Sequence, residues 1–285
     1  MLETPLRFAP PPRPVPFSIS LLASLNAAAQ IGWFITGFTS IFFWTFAGNA
    51  DVSFLTFHGT MASSGVVTGV ESTQARENRQ TVRANHYDYS VAGRTFSGTS
   101  YSTGETVAKG DRVAIEYTPG SPQRSRIVGQ RRSIFSAAAL FVLIFPAIGL
   151  GIVIAATRWG NRRGRLLRDG VFTTGVLKSK RATNTTVNKR RVYELSFEFT
   201  ARDGRKFEAK ARTSDTARLE DEREEPLLYD PEKPEDAVML DEAPTRPQFD
   251  DTGALMARPT AAFLAMIIPA IVIAANTLVL LLKVG

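Results

Sequence analysis

The sequence predicts a membrane α + β protein with three transmembrane helices and two small antiparallel all-β modules related by internal duplication. Each module is expected to be a sandwich or a partly open barrel. Three observations carry this. Residues 18–47, 133–157 and 260–282 contain no Asp, Glu, Lys or Arg. The segments between them, 60–130 and 170–246, are polar and alternate with the period of a strand. The landmarks of the first polar segment recur in the second, in the same order.

Residues 1–17 come first. Prolines at 5, 10, 11, 12, 14 and 16 favour extended polyproline II and exclude a helix. A stiff, solvated lead-in is expected there, with recognition of its PxxP spacing by a partner as the alternative.

The first uncharged run, 18–47, exceeds the roughly 20 residues that a helix needs to cross a bilayer. It is also longer than the ~7–15 apolar residues of a signal peptide. A buried core helix is the competing reading of any one run, but three such runs in 285 residues favour the bilayer. The other spans are expected at 133–157 and 260–283.

Residues 60–130 form the first expected β-module. Tyr87, Tyr89 and Val91 alternate with His86, Asp88 and Ser90, and Val113, Ile115 and Tyr117 with Arg112, Ala114 and Glu116. Residues 170–246 form the second, where Leu195, Phe197 and Phe199 alternate with Ser196, Glu198 and Thr200. One face of such a strand is buried and the other wet.

The repeat is read from spacing. Gly65-Val-Val opens one segment and Gly175-Val-Leu the other. Gly93-Arg-Thr-Phe96 follows Gly65 by 28 residues, and Gly204-Arg-Lys-Phe207 follows Gly175 by 29. Tyr117 is 24 beyond Gly93 and Tyr229 is 25 beyond Gly204, each opening a Tyr-x-Pro-x-x-Pro. Asp203-Gly204 signals a tight hairpin. Pro119 and Pro231 fit the second position of a β-turn, and type I suits both copies, since Glu232 fits type II poorly. Pro122 and Pro234 lack an N–H and belong at a strand edge or start.

The opening GVV, the Tyr-x-Tyr strand with its GRTF hairpin, and GDRVAIEYTPGSPQRSRIV resemble the uncharacterised bacterial membrane proteins catalogued as domain of unknown function 3592. The resemblance covers residues 65–128 well and is weaker in the second copy, where EEPLLYDPEKPEDAVML lacks the Gly-Asp. It implies β-modules tethered by flanking membrane helices and brings no catalytic residues.

Orientation follows from charge. Three spans place the modules on opposite sides of a membrane. Near the span ends, Arg7, Arg13, Arg158, Arg162, Arg163, Arg165, Arg168, Arg246 and Arg258 lie on the side of the N-terminus. Arg124, Arg126, Arg131, Arg132 and Lys283 lie on the other. The majority predicts a cytoplasmic N-terminus. Residues 60–130 hold 14 charged residues in 71, and residues 170–246 hold 31 in 77, which agrees with an exported first module and a cytoplasmic second. The predicted location is a bacterial inner membrane.

Candidate sites are few. Arg158, Arg162, Arg163, Arg165 and Arg168 are expected to contact anionic headgroups. Asn26, Gln30 and Asn276 are expected to make helix–helix contacts, since polar groups in lipid seek a partner helix. Pro146 and Pro269, each followed by Ala-Ile, are expected near mid-span, and the shared tripeptide suggests that the duplicated unit included the following helix. The basic stretch at 178–191 has six cations and no acid, and suits either headgroups or a wet hairpin. Cysteine is absent, which excludes disulfides and thiolate metal sites. His86 and Asp88 share a strand face, but no catalytic, cofactor or metal motif surrounds them. The net charge of +7 lies at span ends, which argues against nucleic acid.

The function expected is that of a non-enzymatic membrane protein without a cofactor. Its partners are membrane lipids and either another protein or a second copy. Its modules would serve as interaction platforms of a cell-envelope complex. The alternatives are a transport-associated or toxin-immunity protein, and a hydrolase using His86.

Overall fold

A computed structural model describes residues 9–104, 106–187, 189–242 and 247–284. Arg7, Arg246 and the end of the expected 170–246 segment lie outside the described residues. The helices are α1 (Phe17–Ser24), α2 (Ala27–Thr45), α3 (Ser53–Thr56), α4 (Ile144–Asp169) and α5 (Pro259–Val284). The chain divides into two compact units, one of Met1–Phe34 and Leu150–Ala274, the other of Ile35–Gly149 and Ala275–Gly285.

Three helical stretches are long and apolar enough to cross a membrane: Ala27–Asn49, Ala137–Asp169 and Pro259–Lys283. Phe38, Ile41, Ile154, Phe263, Ile271 and Leu281 are more than half exposed along them. Large apolar groups left outside a fold mark a surface meant for another apolar phase.

Two of the expected spans are corrected in detail. The run 18–47 is not one helix, because the chain breaks at Leu25–Asn26. Asn26 Oδ1 accepts the backbone N–H groups of Ala28 and Ala29, which caps α2 and stops α1 from continuing into it. In the run 133–157, residues Ala137–Leu143 form a 3₁₀ helix before α4 begins, and α4 continues to Asp169. Pro146 is therefore the third residue of α4, just after the 3₁₀ helix gives way to it. Pro269 alone sits inside its helix. Measured from the last strand residues Ile127 and Met239, Pro146 follows by 19 and Pro269 by 30. The shared Pro-Ala-Ile is thus out of register with the modules.

The first module is a single five-stranded antiparallel sheet of β1 (Met61–Glu77), β2 (Gln80–Val91), β3 (Arg94–Thr103), β4 (Arg112–Thr118) and β5 (Ser121–Ile127). Its order is β3-β2-β1-β4-β5. The alternation read from sequence puts Tyr87, Tyr89, Ile115 and Tyr117 inside, with Val67 and Ile127. The sheet curls. Tyr101 of β3 exchanges backbone hydrogen bonds of 2.8 and 3.0 Å with Arg131, beyond β5. A partly open barrel replaces the two-sheet sandwich alternative.

The second module contains β6 (Val171–Val187), β7 (Arg190–Thr200), β8 (Lys206–Thr213), β9 (Glu225–Tyr229) and β10 (Ala237–Met239), in the order β10-β9-β6-β7-β8. Taken strand for strand, this is the order of the first. Leu195, Phe197, Phe199, Leu227 and Tyr229 fill its core.

The correspondence extends to the backbone. Nine residue pairs join β1 to β2, and adding 110 to each number gives the nine pairs joining β6 to β7. Both ladders are interrupted at the same two places, Val67/Gly69 with Leu177/Ser179 and Ser72/Arg76 with Ala182/Thr186. At the second interruption Thr73 Oγ1 donates to Val82 O at 2.7 Å, and Thr183 Oγ1 donates to Val192 O at 2.8 Å. A Cβ on Gly65 would lie 2.8 Å from Ile115, and one on Gly175 would lie 2.9 Å from Leu227. Both glycines are needed because strands cross closely there.

The turns explain where the register shifts. Ala92 (φ 48°) and Gly93 (φ 77°) make a two-residue turn of the left-handed kind that hairpins prefer. The Gly204 turn is longer: Ala201 N–H bonds Arg205 O, Gly204 N–H bonds Ala201 O, and Gly204 has φ 80°. It is a three-residue loop rather than the tight two-residue hairpin expected from Asp203-Gly204, which accounts for the spacing of 29 instead of 28. The proline turns also differ. Gly120 has φ 78°, so Pro119-Gly120 takes the type II form and not the type I expected of both copies.

Candidate functional site

The proline-rich segment is not a solvated lead-in where it is described. Arg13 is 3% exposed. Its guanidinium donates to Leu167 O at 3.0 Å, Gly170 O at 2.9 Å and Ala9 O at 2.6 Å. Its backbone N–H donates to Arg168 O. The Leu167, Arg168 and Gly170 carbonyls lie at the end of α4, where four C=O groups lack helical partners and the helix dipole is negative. A cation fits there without a carboxylate, and burial lowers the Arg13 pKa from its ordinary value.

The five arginines singled out by position are all on α4, and most have protein partners. Arg162 Nε donates to Asp236 Oδ1, and Arg165 Nη2 donates to Asp236 Oδ2 at 2.7 Å. Arg163 Nη2 donates to Glu242 Oε2 at 2.5 Å, and its guanidinium lies 3.7 Å from the Trp159 ring centroid. Arg168 bonds its neighbour Asp169, and Arg158 is exposed. Asp236 is held by the loop that follows Tyr229-Asp-Pro, through Asp230 N–H to Asp236 O and Asp236 N–H to Lys233 O. The extra acids of the second proline loop therefore tie β9–β10 to α4. The i, i+3 spacing of Arg162 and Arg165 was the available signal, but sequence alone did not identify Asp236 as their partner.

Asn26, Gln30 and Asn276, the three polar residues expected at helix–helix contacts, are all engaged. Asn26 Nδ2 donates to Ala23 O and, on α4, to Ala156 O at 3.0 Å. Asn276 Oδ1 accepts Trp44 Nε1–H at 2.8 Å and its Nδ2 donates to Ser40 Oγ at 3.1 Å. Gln30 Nε2 donates to Ala265 O on α5 at 2.8 Å. Ala265 lies four residues before Pro269, so its carbonyl is the one the proline leaves without a helical donor. A neighbouring helix supplies the missing bond, as membrane helices containing proline require. Gln30→Leu should cost roughly 1 kcal/mol. In a Pro269→Ala background, where residue 269 regains its N–H, the cost should nearly vanish. Thermal melts in detergent of the four proteins of this cycle check it; equal costs in both backgrounds would separate Gln30 from the proline.

Asn276 and Trp44 continue into a second contact. Lys283 Nζ donates to Trp44 O at 3.2 Å and lies 5.5 Å from the Trp44 ring centroid.

His86 and Asp88 are brought to the outer face of β2 but not to each other. His86 Nδ1 bonds Thr99 Oγ1 at 3.0 Å, and its Nε2 is 3.8 Å from Glu71. Asp88 accepts Ser97 Oγ–H. Inside the first barrel lies a polar cluster that sequence reading missed. Asn85 Nδ2 donates to Ser102 Oγ at 3.0 Å and to Gln130 Oε1 at 2.8 Å. Tyr87 OH meets Ser125 Oγ at 2.9 Å, and burial raises the Tyr87 pKa. The matching position in the second module is Leu195, so the two interiors differ in polarity.

The basic stretch at 178–191 forms the β6–β7 hairpin arm. Lys178, Lys180 and Arg181 pair with Glu198, Glu220 and Glu194. Lys189, Arg190 and Arg191 stand exposed at its end. The acidic run at 219–225 ends in Glu225, which is buried on β9. Among the described residues no group of three His, Cys, Asp or Glu side chains is arranged to hold a metal ion. The arrangement as a whole offers charge pairs, helix contacts and sheet edges. Compared with protein-family models and with curated proteins, the chain shows no match.

Proposed function

We propose that the protein is a non-enzymatic, three-span membrane protein whose two β-modules arose by duplication and act as interaction platforms of a cell-envelope complex. The observation that carries this reading is the shared five-strand order with the same two ladder interruptions 110 residues apart. A kinship of the modules with domain of unknown function 3592, read from the sequence alone, is part of this proposal. Lipids and a protein partner or second copy are the ligands of this reading; nucleic acid is not. Purification of the full chain in mild detergent after crosslinking should yield a stoichiometric partner or an oligomer. A lone monodisperse monomer would count against it.

The proposed orientation places the N-terminus and second module in the cytoplasm of a bacterial cell and the first module outside the inner membrane. The nine-to-five bias of basic residues and the contrast of 14 in 71 against 31 in 77 charged residues support it. The chain has no cysteine, so single introduced ones are clean reporters. Ser102 is buried and unsuitable; Lys109 and Thr185 are exposed. In intact cells, or spheroplasts where there is an outer membrane, an impermeant maleimide should label Lys109→Cys and not Thr185→Cys. Labelling of the second alone would reverse the orientation.

A further inference from the structure

A cavity of ≈ 440 Å³ lies within the unit that holds the second module. Its size falls in the ~300–1,000 Å³ range of ligand pockets. Most of its wall is apolar: Ile19, Leu22 and Leu25 from α1 and the break after it, Leu167 from α4, Val238 and Leu240 from around β10. The break at Leu25–Asn26 helps to form it, since Ala27 and Ala28 of the next helix also line it.

The polar part of the wall is unbalanced. Arg163, Arg212 and Arg258 line it, against the single carboxylate of Glu242. Arg163 is paired with Glu242, yet its Nε is buried with no acceptor among the described residues. Arg212 spends its guanidinium on Glu194, at 2.8 and 2.6 Å. Arg258 is different. Its backbone N–H donates to Ser18 Oγ at 2.9 Å, but among the described residues its guanidinium has no carboxylate or carbonyl partner. Residues 243–246, which lie outside the described residues, contain no carboxylate either. Arg258 immediately precedes α5, at the end of an apolar helix.

We propose that this cavity binds one anionic lipid, with an acyl chain along the apolar wall and a phosphate or carboxylate headgroup on Arg258. Guanidinium matches both headgroups through paired hydrogen bonds. A basic pocket at the end of membrane helices is where anionic headgroups are recognised. Neither half of the wall suits a polar solute or a neutral hydrocarbon alone. The proposal rests on the membrane reading of the helices, which the maleimide labelling tests separately.

The full-length protein in a neutral detergent is the material for the test, with native mass spectrometry reading bound lipid. Phosphatidylglycerol should bind at one copy and phosphatidylcholine at least about tenfold more weakly, the loss expected of one charge-assisted contact. Arg258→Gln should weaken phosphatidylglycerol by a similar factor, and Arg258→Lys should restore part of it. Leu22→Trp should block the chain while Arg258 is intact; if that variant fails to fold, the Arg258 pair decides. Oleate binding that is lost in Arg258→Gln supports the same site with a carboxylate head. Equal binding of phosphatidylcholine, undiminished binding in Arg258→Gln, or displacement of the lipid by millimolar inorganic phosphate alone would overturn the proposal.

Discussion

Gly160→Ala should unseat α1 from α4 and lower the melting temperature of the detergent-solubilised protein by roughly 6 °C or more. An ideal Cβ at Gly160 lies 2.0 Å from Ala23 O, 2.4 Å from Ala23 C and 2.9 Å from Ser24 Cα. All three are backbone atoms of α1 and its end, so no rotamer can relieve the clash. Either α1 lifts away or α4 bends. Both separate Asn26 Nδ2 from Ala156 O, now 3.0 Å, and Ser24 Oγ from Asn161 Oδ1, also 3.0 Å. Overpacking alone costs about 1–3 kcal/mol, and the lost hydrogen bonds about 1 kcal/mol each. A total near 3 kcal/mol corresponds to about 6–12 °C for a domain of this size. The same helix contains its own control. A Cβ on Gly164 meets nothing within 4 Å, and alanine is a better helix former than glycine by about 1 kcal/mol. Gly164→Ala should therefore be neutral or stabilising. If the two variants melt alike, α1 does not cross α4 at Gly160.

Much of the fold was legible because it depends on local pattern. Tyr87 and Tyr89 alternate with His86 and Asp88, and the tyrosines are inside. The apolar runs became the helices long enough to cross a membrane. What could not be read depends on atoms brought from elsewhere in the chain. Asn26 looked like one polar group in a continuous helix; its side chain caps the next helix and bonds α4. Arg13 looked like one more basic residue in a wet tail; the end of α4 buries it. The arginines of α4 looked free for headgroups until the loop after Tyr229 brought Asp236 to two of them. Arg258, the arginine that lines the cavity without a carboxylate, was only one of nine in an orientation count. Charge read from sequence gives a sum; which charges remain unmatched is decided by the fold.

Glu225→Gln should remove a stability loss that the parent protein suffers between pH 4.5 and 7. Glu225 lies on β9 opposite Gly175 and is 1% exposed. Its Oε1 accepts the Glu222 N–H at 3.2 Å, while its Oε2 is buried without an acceptor or donor among the described residues. Burial disfavours the carboxylate and pushes its pKa from 4.5 up to about 7, with the negative charges of Asp221, Asp241 and Glu222 acting in the same direction. The folded state therefore holds a proton that the unfolded chain gives up near pH 4.5. The contribution to stability is complete below that pH, declines as pH rises, and is gone above pH 7. At ~1.4 kcal/mol per unit the difference is about 3 kcal/mol. Glutamine has the same shape and no charge to lose. At pH 5 the variant should melt close to the parent; at pH 8 it should melt several degrees higher. Hydrogen exchange of the β9 amides at the two pH values localises the effect, because other titrating groups act equally on both proteins. Parallel pH profiles for parent and variant would mean that the Glu225 carboxylate reaches water or a cation when it ionises.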